Sequence, residues 1–325
     1  MDISWVEKYR PKKINDIVQQ DEIIHVLKNT IKTGELPHLL FYGTAGTGKT
    51  STILAFAHQL FGSRVGDRVL ELNASDDRGI NVVRNKIITF SKISIGTPDP
   101  KFPSPNFKIV ILDEADAMTS DAQACLRKVM ETTAGITRFC FICNYINQII
   151  EPISSRCIKF RFKPLQRDAI EEHLIKIAKL EKLNVDSSGI KKIADLSDGD
   201  MRRAIMLLQN LTYLKKFHKN LTDKDVIYIS NGMDEERYND ILIKCKKYNV
   251  KQLRNYSNTL LREGYTVRNV IEFIKNKIID SEISDGNKCK IFLEICETDK
   301  YLSDGADEYI QILNLILFIS SIIKK

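Results

Sequence analysis

The sequence predicts an α/β nucleotide-binding domain on a parallel sheet, followed by an all-helical remainder. Three observations point there: a glycine-rich loop set between an apolar strand and a helix, an alternation of short apolar runs with amphipathic segments over residues 36–162, and purely helical periodicity beyond Pro164.

The strand-like runs are residues 39–42, 69–72, 109–112 and 138–143, and the intervening helical segments are 51–60, 80–90 and 122–131. Alternation of this kind gives a parallel sheet with helices on both faces. Between Ile93 and Asn106 the run Thr97-Pro-Asp-Pro-Lys-Phe-Pro-Ser-Pro excludes regular structure. After Pro164, Ile170, Leu174 and Ile177 recur at helical spacing within 167–183, and two more helices follow over 188–196 and 201–211. Past Asn231-Gly232 the pattern stays helical, with breaks near Gly264, Asp285-Gly286 and Asp304-Gly305. The final helix is apolar almost all round, so it must be covered, either by its own domain or by another subunit.

The loop Gly43-Thr44-Ala45-Gly46-Thr47-Gly48-Lys49-Thr50 is the most specific feature, and Ser51 continues it into the helix. Glycines at 43, 46 and 48 allow the backbone to curl with its N–H groups inward, and the helix N-terminus adds positive potential. In such a nest Lys49 reaches the β- and γ-phosphates of a nucleoside triphosphate, and the Thr50 hydroxyl takes one position on Mg²⁺. The run 109–112 leads directly into Asp113-Glu114-Ala-Asp. Carboxylates at the end of a buried strand are where such folds keep their metal and water-handling groups, so Asp113 is expected on Mg²⁺ and Glu114 on the attacking water.

Composition narrows the class without deciding it. With 43% hydrophobic and 28% charged residues, the 325-residue chain reads as a globular protein with room for two or three domains. Met1 to Arg10 is charged and unlike a secretory leader, and the apolar stretch 309–323 is broken by polar residues, so no membrane association is expected. Seven cysteines without paired spacing suit a reducing compartment. Cys140-x-x-Cys143 sits inside an apolar run and reads as buried strand in preference to a zinc site. The net charge of +7 is compatible with an acidic partner such as nucleic acid and does not require one.

Taken together, Trp5-Val-Glu-Lys-Tyr-Arg-Pro, the loop 43–50, Leu72-Asn-Ala-Ser-Asp-Asp-Arg-Gly, the Asp113 box, Cys143-Asn, Ser155-Arg-Cys and Gly199-Asp-Met-Arg-Arg make the chain resemble the ATP-hydrolysing small subunits of the eukaryotic replication factor C clamp loader, members of the AAA+ class. These motifs run from residue 4 to about residue 210; beyond it only helical character and length match. The resemblance implies an AAA+ nucleotide domain over 1–163, a helical lid over 164–229 and a helical collar for oligomerisation over 230–325.

It also implies roles for further residues. Val6 and Val18 would flank the adenine of ATP, with Tyr9 and Arg10 nearby; Asn144 would sense the γ-phosphate, and Arg202 would reach it from the lid. Arg156, in Ser-Arg-Cys, would act in trans as an arginine finger in a neighbour's site. On the helix 80–90, Arg84 would contact a DNA phosphate, with Arg78, Asn81 and Lys86 around it, giving grip without sequence readout. The implied partners are one large and three other small clamp-loader subunits, the sliding clamp, and a primed single-stranded/double-stranded DNA junction. A nuclear protein of replication and repair would follow. The alternative of a ring-forming DNA motor, such as a branch-migration helicase, shares the fold but usually ends in a winged DNA-binding domain, which the helical C-terminal pattern does not suggest.

Overall fold

A computed structural model describes residues 3–74, 80–93, 95–96, 99–230, 232 and 235–324, with the backbone alone for 80–84 and 235. The chain divides into two compact units, Met1–Asn220 and Leu221–Lys325.

The first unit is organised on a parallel sheet. Its strands are β1 (Leu39–Gly43), β2 (Val69–Asn73), β3 (Lys108–Asp113), β4 (Thr137–Cys143) and β5 (Ile158–Phe162), in the order β2-β3-β4-β1-β5. Four of these follow from the apolar runs. The fifth departs from that pattern: β5 reads Ile-Lys-Phe-Arg-Phe, is mostly exposed, and lies at the sheet edge. Its basic residues suit an edge strand, where charge discourages further pairing, and they remove the apolar run that marks a central strand.

Order in the sheet decides where the chemistry sits. β1 lies between β4 and β5, with Leu39 opposite Cys140 and Tyr42 opposite Cys143. β3 flanks β4 on the other side, with Leu112 opposite Phe141. The C-terminal ends of β1, β3 and β4 therefore bring the phosphate loop, Asp113 and Asn144 to one edge of the sheet, where ligands of open α/β sheets bind. Cys140 and Cys143 are buried members of β4.

Helices cover both faces. Lys49–Phe61 buries Ile53, Phe56, Ala57, Leu60 and Phe61 against Phe41, Ile109, Ile111 and Ile142 on one side. Ser120–Thr133 buries Leu126, Val129 and Met130 against Leu40, Val110, Leu112, Phe139 and Phe141 on the other, with Ile87 of Ile80–Lys92 in the same cluster. Each of the larger aliphatic and aromatic side chains contributes roughly 1.5–3 kcal/mol when taken out of water. Helix Asp21–Thr33, not singled out from the sequence, presses Ile23 and Leu27 into the first of these cores. Lys108 is itself buried: its ammonium donates to the carbonyls of Phe90, at 2.6 Å, and Ile93, so a cation closes the C-terminal end of helix Ile80–Lys92.

His38, just before β1, accepts a hydrogen bond at Nδ1 from the Phe139 backbone N–H at 3.1 Å, which only an unprotonated ring nitrogen can do. Burial, reinforced by nearby Arg138, pulls its pKa from 6.5 down to about 4. The unfolded chain then takes up the proton first. Its stability contribution is complete above about pH 6.5 and is lost as pH falls towards 4. Denaturant titrations across that window should show this group removing up to about 1.4 kcal/mol of stability per pH unit of acidification. The slope should be shallower in His38→Gln, whose amide oxygen does not titrate.

The remainder of the first unit is a helical group, Arg167–Leu180, Ser187–Ser197 and Met201–Asn210, matching the three periodic segments after Pro164. Asp186 and Asp200 cap the second and third of these, accepting from the backbone N–H groups of Gly189 and Arg203.

The second unit contains the helices Asp223–Ile229, Glu235–Lys247, Val250–Arg262, Val267–Ile279, Asp285–Ser303 and Glu308–Ile323 among its described residues. The last of these runs through the unit's own core: Ile312, Leu315, Ile316 and Ile319 pack with Cys245, Leu253, Leu260 and Ile274, and the Ser320 hydroxyl donates to the Cys245 carbonyl at 2.7 Å. Its apolar character is thus largely met within this unit, although Ile310 remains 60% exposed.

Candidate active site

The phosphate loop is curled by left-handed glycines. Gly46 has φ +69° and Gly48 φ +94°. The positive φ favours glycine at 46, and a Cβ there would also displace the Asp200 carboxylate. The Met201 backbone N–H donates to the Gly46 carbonyl at 3.1 Å, which seats the start of helix Met201–Asn210 directly on the loop.

Lys49 opens the helix after the loop and is buried, 7% exposed. Its ammonium donates to the carbonyls of Gly43, at 2.7 Å, and Thr44, at 2.8 Å, and to Asn144 Oδ1, at 3.0 Å. Burial pushes its pKa down, against the raising pull of Asp113. Such a cation is only partly compensated by carbonyl dipoles and is suited to taking an anionic partner.

The Thr50 hydroxyl donates to Asp113 Oδ2 at 2.7 Å. This places a hydroxyl and a carboxylate side by side in a hard-oxygen donor set, which fits Mg²⁺. Glu114 is exposed and holds a left-handed backbone, φ +53°, and its N–H donates to Asp113 Oδ1 at 2.9 Å. The turn separates two successive carboxylates: Asp113 is committed to Thr50 and its own following amide, while Glu114 is left towards solvent at the mouth of the pocket. Asn144 is fixed from behind, where Asp116 Oδ2 accepts from the Asn144 and Tyr145 backbone N–H groups at 2.9 and 3.1 Å.

One pocket gathers most of the expected residues: Val6, Tyr9, Arg10, Val18, Ala45, Gly46, Thr47, Gly48, Lys49, Thr50, Ser51, Asp113, Glu114, Asn144 and Arg202. Gly43 and Thr44 do not line it and take part through their carbonyls. Pro11, Ile17, Thr52, Leu165, His173, Met201 and Ile205 complete its wall and were not anticipated. Ile205 lies three residues past Arg202 on one helix face, a spacing that could have signalled it. His173, whose pKa burial pushes down, presents an uncharged ring at neutral pH and carries no comparable mark in the sequence.

Arg156 lies away from this pocket. Its guanidinium donates to the Pro152 carbonyl at 2.7 Å and pairs with Glu131 at 2.9 Å, and Glu131 also holds Arg127 at 3.1 Å. Of the residues expected on DNA, Lys86 is exposed on helix Ile80–Lys92. Arg78 and the side chains of Asn81 and Arg84 lie outside the described residues.

Comparison with known proteins bears on this geometry. Residues 39–165 match the ATPase family associated with various cellular activities (AAA), residues 172–212 the RCF1/5-like AAA+ ATPase lid domain, and residues 233–317 the replication factor C C-terminal domain. Replication factor C subunit 4 of Arabidopsis thaliana is 47% identical over 96% of this chain and 93% of its own length. The human subunit 4 is 44% identical over 96% of this chain and 86% of its own. Subunit 2 of Saccharomyces cerevisiae is 41% identical over 98% and 93%. Among solved structures, the Thermotoga maritima RuvB branch migration motor superposes with a TM-score of 0.54 at 18% identity, covering 74% of this chain and 80% of that one. That likeness extends to the AAA+ fold and no further, which leaves the DNA-motor alternative with a distant structural neighbour only.

Proposed function

The chain belongs to the replication factor C small-subunit family, and from that membership and the pocket geometry we propose that it is a catalytically competent ATPase subunit of a multi-subunit clamp loader. The observation that carries catalytic competence, as opposed to a scaffold role, is the single cluster of Lys49, Thr50, Asp113, Glu114 and Asn144 at the ends of β1, β3 and β4.

In this reading the loop amides and Lys49 bind the β- and γ-phosphates, the ammonium exchanging its carbonyl partners for phosphate oxygens. Thr50 and Asp113 would hold Mg²⁺, which when bound offsets charge on the phosphates. Glu114 accepts a proton from the attacking water and orients it, and Asn144 fixes the same region through its amide. Val6 and Val18 flank the base, with Tyr9 and Arg10 nearby, while Arg202 approaches the γ-phosphate from the lid. Arg156 serves a neighbouring subunit's site as the finger that completes it. The three-part division at 163/164 and 229/230, with a collar mediating assembly, belongs to the same reading. So do the partners: one large and three other small subunits, the sliding clamp and primed DNA, gripped through Arg84, Arg78, Asn81 and Lys86, in the nucleus.

The test is Glu114→Gln. The amide keeps the shape and cannot take a proton, so ATP binding should stay within about threefold of wild type while turnover at this chain's own site in the assembled complex falls roughly 10²- to 10⁴-fold. Unchanged turnover would remove Glu114 from the chemistry and return the chain to a scaffold role.

A further inference from the structure

The segment that walls the base end of the pocket is fastened to the lid helices. Residues Val6, Tyr9 and Arg10 line the pocket, yet the arm they belong to makes its anchoring contacts elsewhere. Glu181, directly after helix Arg167–Leu180, accepts through one carboxylate oxygen from the Lys8 ammonium and the Tyr9 hydroxyl, both at 2.6 Å. The Trp5 backbone N–H donates to Gln209 Oε1 on helix Met201–Asn210 at 3.0 Å, and the Trp5 indole is buried, meeting Tyr9 edge to face at 6.3 Å. Further along, the Ile14 N–H donates to Gln59 on helix Lys49–Phe61 at 3.1 Å, which ties the chain to the sheet side. The stretch between, with Pro11 in it, spans the two bodies.

We propose that Glu181 is a positioning residue for adenine-nucleotide binding: by holding Lys8 and Tyr9 it locks the arm to the lid, so that the base pocket is assembled only while the lid sits on the phosphate loop. Glu181 does not line the pocket and acts through Tyr9. The Lys8 ammonium, and then the Tyr9 hydroxyl, hold its carboxyl below the usual carboxylate range, consistent with one acceptor serving two donors. The consequence is that the lid is read at both ends of the nucleotide. The γ-phosphate end reports through Arg202, and the base end through the arm, whatever the number of phosphates. Ordering that arm before binding lowers the entropy cost of capturing the base.

The inference rests on the reading of this pocket as the ATP site, and the experiment separates the two. Equilibrium binding of ATP and of ADP to the full-length chain is measured for Glu181→Ala, Glu181→Gln and Lys49→Ala, with thermal melting of each without nucleotide. Glu181→Ala should weaken ATP and ADP alike, by about tenfold, with an unchanged ATP/ADP ratio and melting temperature; Glu181→Gln, which still accepts from Tyr9, should lose about threefold. Lys8→Glu should weaken binding likewise, and adding Glu181→Lys to it should restore much of the loss. Wild-type affinity in Glu181→Ala, a loss confined to ATP, or no rescue in the charge-swapped pair would overturn the positioning role. Lys49→Ala binding as wild type would instead overturn the nucleotide site itself.

Discussion

Replacing Lys49 by alanine should abolish ATP binding at this chain's own pocket and leave the fold in place. Its ammonium is the one group that touches Gly43, Thr44 and Asn144 together, so it ties the loop to β4 as well as offering charge to phosphate. Charge-assisted hydrogen bonds of this kind are each worth roughly 1.5–3 kcal/mol, so the loss of two to phosphate costs about 10²- to 10⁴-fold in affinity. Folding should suffer little, because burial already disfavours the charged form of this side chain and its removal relieves that cost. Calorimetric titration with ATP, beside a melting curve, gives both quantities. Affinity within threefold of wild type would separate this loop from phosphate binding.

The second large effect belongs to Arg156, and it should appear on a different subunit. In the assembled complex Arg156→Ala should leave ATP binding to this chain unchanged while slowing hydrolysis at the adjacent site by about 10³-fold or more, the usual contribution of an arginine finger. The structure makes the transfer physically inexpensive. Arg156 is held on its own chain by a hydrogen bond to the Pro152 carbonyl and by a partly exposed pair with Glu131, 38% and 44% exposed at the two side chains. An exposed ion pair is screened by solvent and contributes far less than a finger supplies in a transition state. Glu131 also retains Arg127 when Arg156 leaves, so its carboxylate is not stranded. Site-resolved turnover, with the neighbour's site as the only intact one, is the measurement. A loss at this chain's own site in place of the neighbour's would reverse the assignment.

Much of this was legible in the sequence, for identifiable reasons. β1, β3 and β4 stood out because each buries an apolar run, β2 by its Val-Leu-Glu-Leu pattern, and the phosphate loop because glycine spacing and Lys49-Thr50 have few other uses. What escaped had weaker local signals. β5 is an edge strand with lysine and arginine where a central strand would be apolar. Leu165 and His173 reach the pocket because the lid packs on the loop, a tertiary fact fixed by Met201 on Gly46 that no local pattern encodes. The final helix shows the reverse case: its all-round apolarity left open whether its own domain or a partner covers it, and packing against Cys245, Leu253 and Ile274 accounts for most of it. Asp116, visible in the sequence only as the last letter of a motif, proves to be the carboxylate that holds Asn144 in place.

Lys49, Thr50, Asp113, Glu114 and Asn144 share one pocket, and on the proposed reading a neighbouring subunit supplies the rest of the site. Steady-state ATP turnover should therefore be measured for the chain alone and for the assembled clamp loader, with and without primed DNA and clamp. Turnover should be slow for the chain alone and rise on the order of 10³-fold when a neighbour's finger and DNA complete the site. Turnover by the isolated chain at the full rate of the assembly, indifferent to DNA and clamp, would contradict that reading.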